Sequence, residues 1–220
     1  MDLGNIKTEK IEGSYTMDRE ETFRKEFASY IKRDGARKLL GWLLESDFFV
    51  APASARYHSA FPGGLVEHSL RVFYRLRDLW MNEYGVEKLT EEIMESLAIC
   101  GLLHDICKAN FYTISMRNVK NDETGKWEKK PYYEVQDILP YGHGEKSVYI
   151  LRSFIPLKEE EAMAIRWHMG AFDDSAKGHA LSQAFRSYPL ALMLHLADML
   201  ANYLDEMEGV QAINGNGEIS

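Results

Sequence analysis

The chain has 220 residues, enough for one domain with a sizeable core or for two small ones. Its 45% apolar and 27% charged residues exclude collagen-like, coiled-coil and wholly disordered chains. A formal charge of −8 argues against tight, sequence-independent binding of nucleic acid, whose affinity comes from Lys and Arg displacing counterions.

Residues 1–16 are polar and without a period and are expected to form a flexible lead-in. From Met17 to Lys32, Phe23, Phe27, Tyr30 and Ile31 recur at helical spacing. A second run, Ala36 to Leu44, directs Leu39, Leu40, Trp42 and Leu43 inward, with Asp34-Gly35 as the break between the two. Pro62-Gly63-Gly64 then precedes a long helix starting near Leu65, which places His68 in its first turns and continues with Leu70, Phe73, Leu76, Leu79 and Trp80 as a buried stripe.

Thr90 is the expected cap of the next helix, whose apolar side (Ile93, Leu97, Ile99, Leu102, Leu103) runs into His104-Asp105. About residues 111–134, alternation through Tyr112, Ile114, Met116 and Val119, a turn at Asn121–Gly125 and the run Trp127–Tyr133 predict a small β-hairpin. Helices return at about Gly144–Phe154, Lys158–Met169 and Pro189–Glu206, bounded by Pro156 and Pro189. The leucine-rich stripe Leu190, Leu192, Leu194, Leu196, Met199 and Leu200 reads as core, and residues 207–220 as a flexible tail. Residues 17–206 are expected to form a single, mainly α-helical domain.

Chemistry concentrates in the doublet His104-Asp105. Neighbours on a regular helix point about 100° apart, so both can reach one cation only from a helix end or kink. Four further potential ligands, His68, His143, His168 and Asp198, fall in helical contexts. Imidazoles mixed with carboxylates suit iron, manganese, cobalt, nickel or zinc, whereas magnesium prefers oxygen-only sites and structural zinc usually recruits cysteines. The two cysteines, Cys100 and Cys107, read as small apolar core residues rather than a disulfide framework. With no signal-peptide core and no stretch of roughly 20 apolar residues, a cytoplasmic protein without a membrane partner is expected.

Five segments together resemble the HD-domain metal-dependent phosphohydrolases. They are Tyr57-His58-Ser59-Ala60-Phe61-Pro62-Gly63-Gly64-Leu65-Val66-Glu67-His68-Ser69-Leu70, Gly101-Leu102-Leu103-His104-Asp105-Ile106-Cys107-Lys108, Tyr141-Gly142-His143-Gly144-Glu145-Lys146-Ser147, Ile165-Arg166-Trp167-His168-Met169-Gly170 and His195-Leu196-Ala197-Asp198. The first is similar to a branch that includes the C-terminal domain of bacterial 3′→5′ exoribonucleases. Where the family commonly has glycine after His-Asp-Ile, this chain has Cys107. The exoribonucleases carry an additional nucleic-acid-binding module before the HD domain, whereas the preceding residues here read as helical and acidic.

The resemblance implies an HD-domain helical bundle with the hairpin inserted between the doublet helix and the helix after His143. It implies a first ion among His68, His104, Asp105 and Asp198. A second, held by His143 and His168 with Asp105 as bridge, would lie about 3.5–4 Å away. His143 and His168 have an alternative role as neutral donors to phosphate. Asp105 and Lys108 are the catalytic candidates; Arg166, Lys146, His58 and His179 are candidate substrate contacts. The expected activity is hydrolysis of a phosphoester in a nucleotide or other small phosphorylated compound. The alternatives are a 3′→5′ nuclease on single-stranded ends, using Arg117, Lys120, Lys126, Lys129 and Lys130 with Trp127, Tyr132 and Tyr133, and a non-catalytic, metal-stapled ligand-sensing domain.

Overall fold

The computed structural model describes residues 18–56, 59–121, 124–173, 176 and 179–205. The proposed lead-in, the proposed tail and His58 lie outside the described residues. Helix α1 (18–30) precedes α2 (Ala36–Glu45), α3 (Gly64–Tyr84) and α4 (Glu91–Leu103). Strands β1 (Tyr112–Lys120) and β2 (Trp127–Val135) follow, then α5 (His143–Arg152), α6 (Glu159–Trp167), α7 (Ala180–Ser187) and α8 (Pro189–Leu200), the last running into a π-helical turn at Ala201–Asp205. The chain is thus mainly α with one hairpin, inserted between α4 and α5.

Local chemistry accounts for several boundaries. Thr90 Oγ1 accepts the Ile93 N–H at 3.2 Å, so the expected cap starts α4, and Glu91 and Glu92 sit at the positive end of its dipole. Pro189, whose missing N–H costs nothing in a first turn, opens α8. The strands pair antiparallel from Tyr112↔Val135 to Lys120↔Trp127, and their contacts are chiefly with each other rather than with the helices.

One apolar cluster runs from Phe23 and Phe27 in α1 through Leu39, Leu43, Phe73, Leu97 and Ile165 to Leu194 and Ala201. A polar network fastens its edge: Arg33 donates to the fully buried Glu161 at 2.7 and 2.9 Å, and Ser96 donates to the same carboxylate at 2.7 Å. A buried charge is tolerated only when so paired. Among the described residues no helix is long and apolar enough to cross a membrane.

Two expectations are corrected. Leu192 and Leu196 are 38% and 43% exposed, because leucines at every second position of a helix cannot all face one side. Helix α7 was not expected from the sequence; Leu181, Ala184 and Phe185 give it one apolar face, but it is only eight residues long and only Ala184 is buried.

Two glycines set the helix crossings. A Cβ on Gly101 of α4 would stand 2.5 Å from Phe73 Cα in α3, and one on Gly144 of α5 would collide with the Arg166 carbonyl of α6. Their absence lets α3 approach α4, and α5 approach α6, at backbone contact. We predict that Gly101→Ala costs about 1–3 kcal/mol through overpacking. Thermal unfolding should fall by about 2–4 °C per kcal/mol; an unchanged melting temperature would contradict this crossing.

Candidate metal centre

These crossings gather six helix-borne or turn-borne side chains toward one point, five of them buried. His68 comes from the second turn of α3, His104 caps the C-terminus of α4, and Asp105 follows in the turn to a 3-10 segment, Ile106–Lys108. His143 begins α5, His168 caps α6, and Asp198 lies near the end of α8. The helix therefore ends at the doublet, which lets its two side chains reach a common point. His68, His104, Asp105, His168 and Asp198 are buried, and His143 is half-buried.

The atoms that converge are electron-pair donors. His68 Nε2 lies 3.2 Å from His104 Nε2, 3.2 Å from Asp198 Oδ1 and 3.7 Å from Asp105 Oδ2. A single ring nitrogen carries at most one proton, so it cannot satisfy three such neighbours. His104 Nδ1 donates to the Gly101 carbonyl at 2.9 Å and His168 Nδ1 to the Ile165 carbonyl at 2.7 Å. Carbonyls only accept, so in each ring, when neutral, Nε2 is the lone pair turned inward. His168 Nε2 is buried without a hydrogen-bond partner, an expensive state for a polar atom unless a cation completes it.

Asp105 stands between two halves of the cluster. Its Oδ2 faces His104 at 3.6 Å, His68 and the Lys108 ammonium at 2.6 Å; its Oδ1 faces His143 Nε2 at 2.5 Å and His168 Nε2 at 3.5 Å. One carboxylate thus presents one oxygen to each half, the disposition of a bridging ligand. Asp198 is oriented by Asn202 Nδ2 at 3.0 Å from the π-helical turn, and His195 Nδ1 donates to the His168 carbonyl at 2.7 Å.

Electrostatics match this arrangement. Burial pushes the His104 imidazole down to about 3, so it remains a neutral ring at ordinary pH. Burial alone would raise Asp105, but Lys108 and the imidazoles of His104 and His143 hold it well below the carboxylate range. Asp198 is also lowered, its burial outweighed by the hydrogen bond and charge of His68. Asp105 in turn raises Lys108 against the effect of burial. His143, against burial, is raised by Cys107 and Asp105 to about 10.

These values carry a pH prediction for the metal-free protein. His104 titrates near 3 when folded and near 6.5 when unfolded, so the unfolded chain takes up that proton first as pH falls. Stability should therefore drop between pH 6.5 and 3, at about 1.4 kcal/mol per pH unit from this group. His143 acts oppositely, contributing stability below 6.5 that disappears as pH rises through about 10. Denaturant midpoints measured across this range check both limbs; a flat acid limb would contradict the buried neutral His104.

The other candidates sit differently. Lys108 is 13% exposed at its side chain and touches the cluster directly through Asp105. The Arg166 guanidinium is paired with Glu145 and, at 2.6 Å, with Asp173, and stacks 4.2 Å from the Trp167 ring centroid. Lys146 is buried, 2.5 Å from Asp137 and 5.0 Å from the Phe111 ring centroid. His179 is exposed at the start of α7. Thus Arg166 and Lys146 already have carboxylate partners and His179 stands at the surface. Cys107, read from the sequence as a core residue, is buried but borders His143, with Sγ 3.4 Å from Nδ1. Its place two residues after Asp105 in a tight turn was the only sequence signal of that.

The family model described as HD domain matches residues 65–208, well over half of the chain and a span that holds all six converging side chains. The chain belongs to the HD domain family. Searches of curated proteins and of solved structures gave no match. HD domains bind divalent metals and generally act as metal-dependent phosphohydrolases. The residues here fit such an ion by their own chemistry: two Nε2 lone pairs fixed by Nδ1–carbonyl bonds, one of them orphaned, and two carboxylates kept ionised in a buried site.

Proposed function

We propose that this HD domain hydrolyses a phosphoester of a nucleotide or another small phosphorylated compound in a metal-dependent reaction. The observation that carries this reading is the split of Asp105 between two donor sets, His68, His104 and Asp198 on one side and His143 and His168 on the other. A structural site needs only one saturated position. Divalent ions in the two halves would supply Lewis acidity, which polarises phosphoryl oxygens and lowers the pKa of water.

The chain's own groups do the rest. His68, His104 and Asp198 form the more buried half. His143, 27% exposed at its side chain, and Lys108 mark the side open to substrate. The Lys108 ammonium, 2.6 Å from Asp105 Oδ2, is placed to neutralise charge developing on a transferred phosphoryl group. Asp105 keeps that ammonium charged while holding both halves in register.

A second reading, hydrolysis of single-stranded nucleic acid ends, is favoured by one feature of the hairpin. Trp127 is 70% exposed, and Arg117 stacks 5.5 Å from the Tyr132 ring centroid beside Lys130. Aromatics interleaved with basic groups are what a single strand requires. The net charge of −8 weighs the other way.

The test is a substrate panel. Metal-free protein reloaded separately with manganese, iron, cobalt, nickel or zinc is assayed on mononucleotides, cyclic dinucleotides and short RNA. Turnover of mononucleotides or another small phosphoester is the expected result. Activity on RNA alone would establish the second reading, and no turnover with any ion would overturn both.

A further inference from the structure

We propose that Cys107 is a thiolate ligand at the second metal position, beside Asp105 and His143. This inference rests on the metal-centre reading and adds to it a sulfur donor.

Three observations carry it. The ligand atoms of Asp105, Cys107 and His143 all lie within 4.8 Å of one another. Cys107 Sγ is 3.7 Å from His143 Nε2. Sulfur and nitrogen bound to one tetrahedral ion at about 2.3 and 2.0 Å stand roughly 3.5 Å apart, so the thiol is already at the spacing of a co-ligand.

The second observation is the orphaned His168 Nε2, 1% exposed, which groups with His104 and Asp105 and lies 3.5 Å from the same Asp105 oxygen that His143 approaches, so it meets the Cys107 group at Asp105 rather than at the thiol. A buried lone pair without a donor, turned toward that oxygen, is independent of the cysteine and points to a cation there.

The third is the contrast between the two cysteines. Cys100 lies in the apolar core, its Sγ 4.0 Å from the Glu161 carbonyl. Cys107 sits in the 3-10 turn that α5 packs against, its backbone N–H directed at Ser147 Oγ at 3.4 Å. That contact ties the turn bearing the thiol to the helix bearing His143. Cys107 does not have a positive φ, so the position does not need glycine's conformational freedom.

Coordination forms a sulfur–metal bond and releases the thiol proton to solvent, with no change of oxidation state. A sulfur donor biases the position toward zinc, iron or cobalt and away from magnesium and manganese.

The probe is cobalt(II) alone, added to the metal-free full chain under anaerobic, reducing conditions and followed by absorption. The expected spectrum has visible d–d bands together with a thiolate-to-cobalt charge-transfer band in the near ultraviolet. Cys107→Ser and Cys107→Gly should both lose the near-ultraviolet band, keep d–d absorption, and bind the second equivalent at least about 10-fold more weakly. Cys100→Ser should keep the band. The glycine variant, which places no polar group in the buried turn, guards against a serine variant that fails to fold, with circular dichroism as the check. Bound cobalt without the charge-transfer band, or a band that survives in both Cys107 variants, overturns the sulfur ligand and leaves the metal centre standing. Absence of d–d bands as well would overturn the metal-centre reading itself.

Discussion

Asp105→Asn is expected to remove hydrolysis almost completely, by more than the 10²–10³-fold that loss of a single electrostatic contact costs an enzyme. Asparagine keeps the shape of the side chain but presents one neutral oxygen and an amide that donates hydrogen bonds. The carboxylate meets His143 at 2.5 Å, Lys108 at 2.6 Å, and His168, His104 and His68 within 3.7 Å, so one substitution disturbs both halves of the centre. The variant also leaves the largely buried Lys108 ammonium without its partner, which costs about 3–5 kcal/mol in comparable buried pairs. Turnover should therefore be measured in the cold, with circular dichroism showing the folded fraction. A folded Asp105→Asn protein with unchanged turnover would remove this residue from the chemistry.

Stripping metal with a chelator should have the second large effect, on stability as well as on activity. Without a cation, the inward lone pairs of His104 and His168 face the carboxylates of Asp105 and Asp198 in a buried site, and the His68 ring nitrogen has to serve three acceptors. An ion that binds only the folded state stabilises it by about 4 kcal/mol at a free concentration 1,000 times its Kd. At about 2–4 °C per kcal/mol, the melting temperature should fall by roughly 8–16 °C on chelation. Adding back a divalent transition metal should restore it. Equal melting temperatures with and without metal would contradict a centre built around a cation.

Much of this was legible in the sequence because a helical period and a capping residue are local. Phe23, Phe27, Leu39, Leu43, Phe73 and Leu76 face inward as their spacing predicts, and Thr90 caps α4. The six donors were legible by their order along the chain and by the helix end at His104-Asp105, the one local feature that lets adjacent side chains converge.

What was not legible depends on tertiary partners. Nothing in the sequence near Arg166 or Lys146 says that Asp173, Glu145 and Asp137 will take up their charges. The leucines at 192 and 196 face water because a residue's side of a helix depends on how α8 packs on α3 and α6, and leucines alternating along the sequence resemble a fully buried stretch. Cys107 was read as core because burial and polarity look alike in a sequence: it is buried, yet its neighbour is an imidazole. Helix α7 escaped because its apolar face, Leu181, Ala184 and Phe185, spans barely two turns and is too short to stand out from a loop.

The most direct test of the metal centre is anomalous diffraction from crystals loaded with cobalt or manganese. The account predicts a strong peak among His68 Nε2, His104 Nε2, Asp198 and Asp105, with a second peak on the His143 side of Asp105 when both positions are filled. Anomalous density confined to surface carboxylates, with none between these side chains, would contradict it.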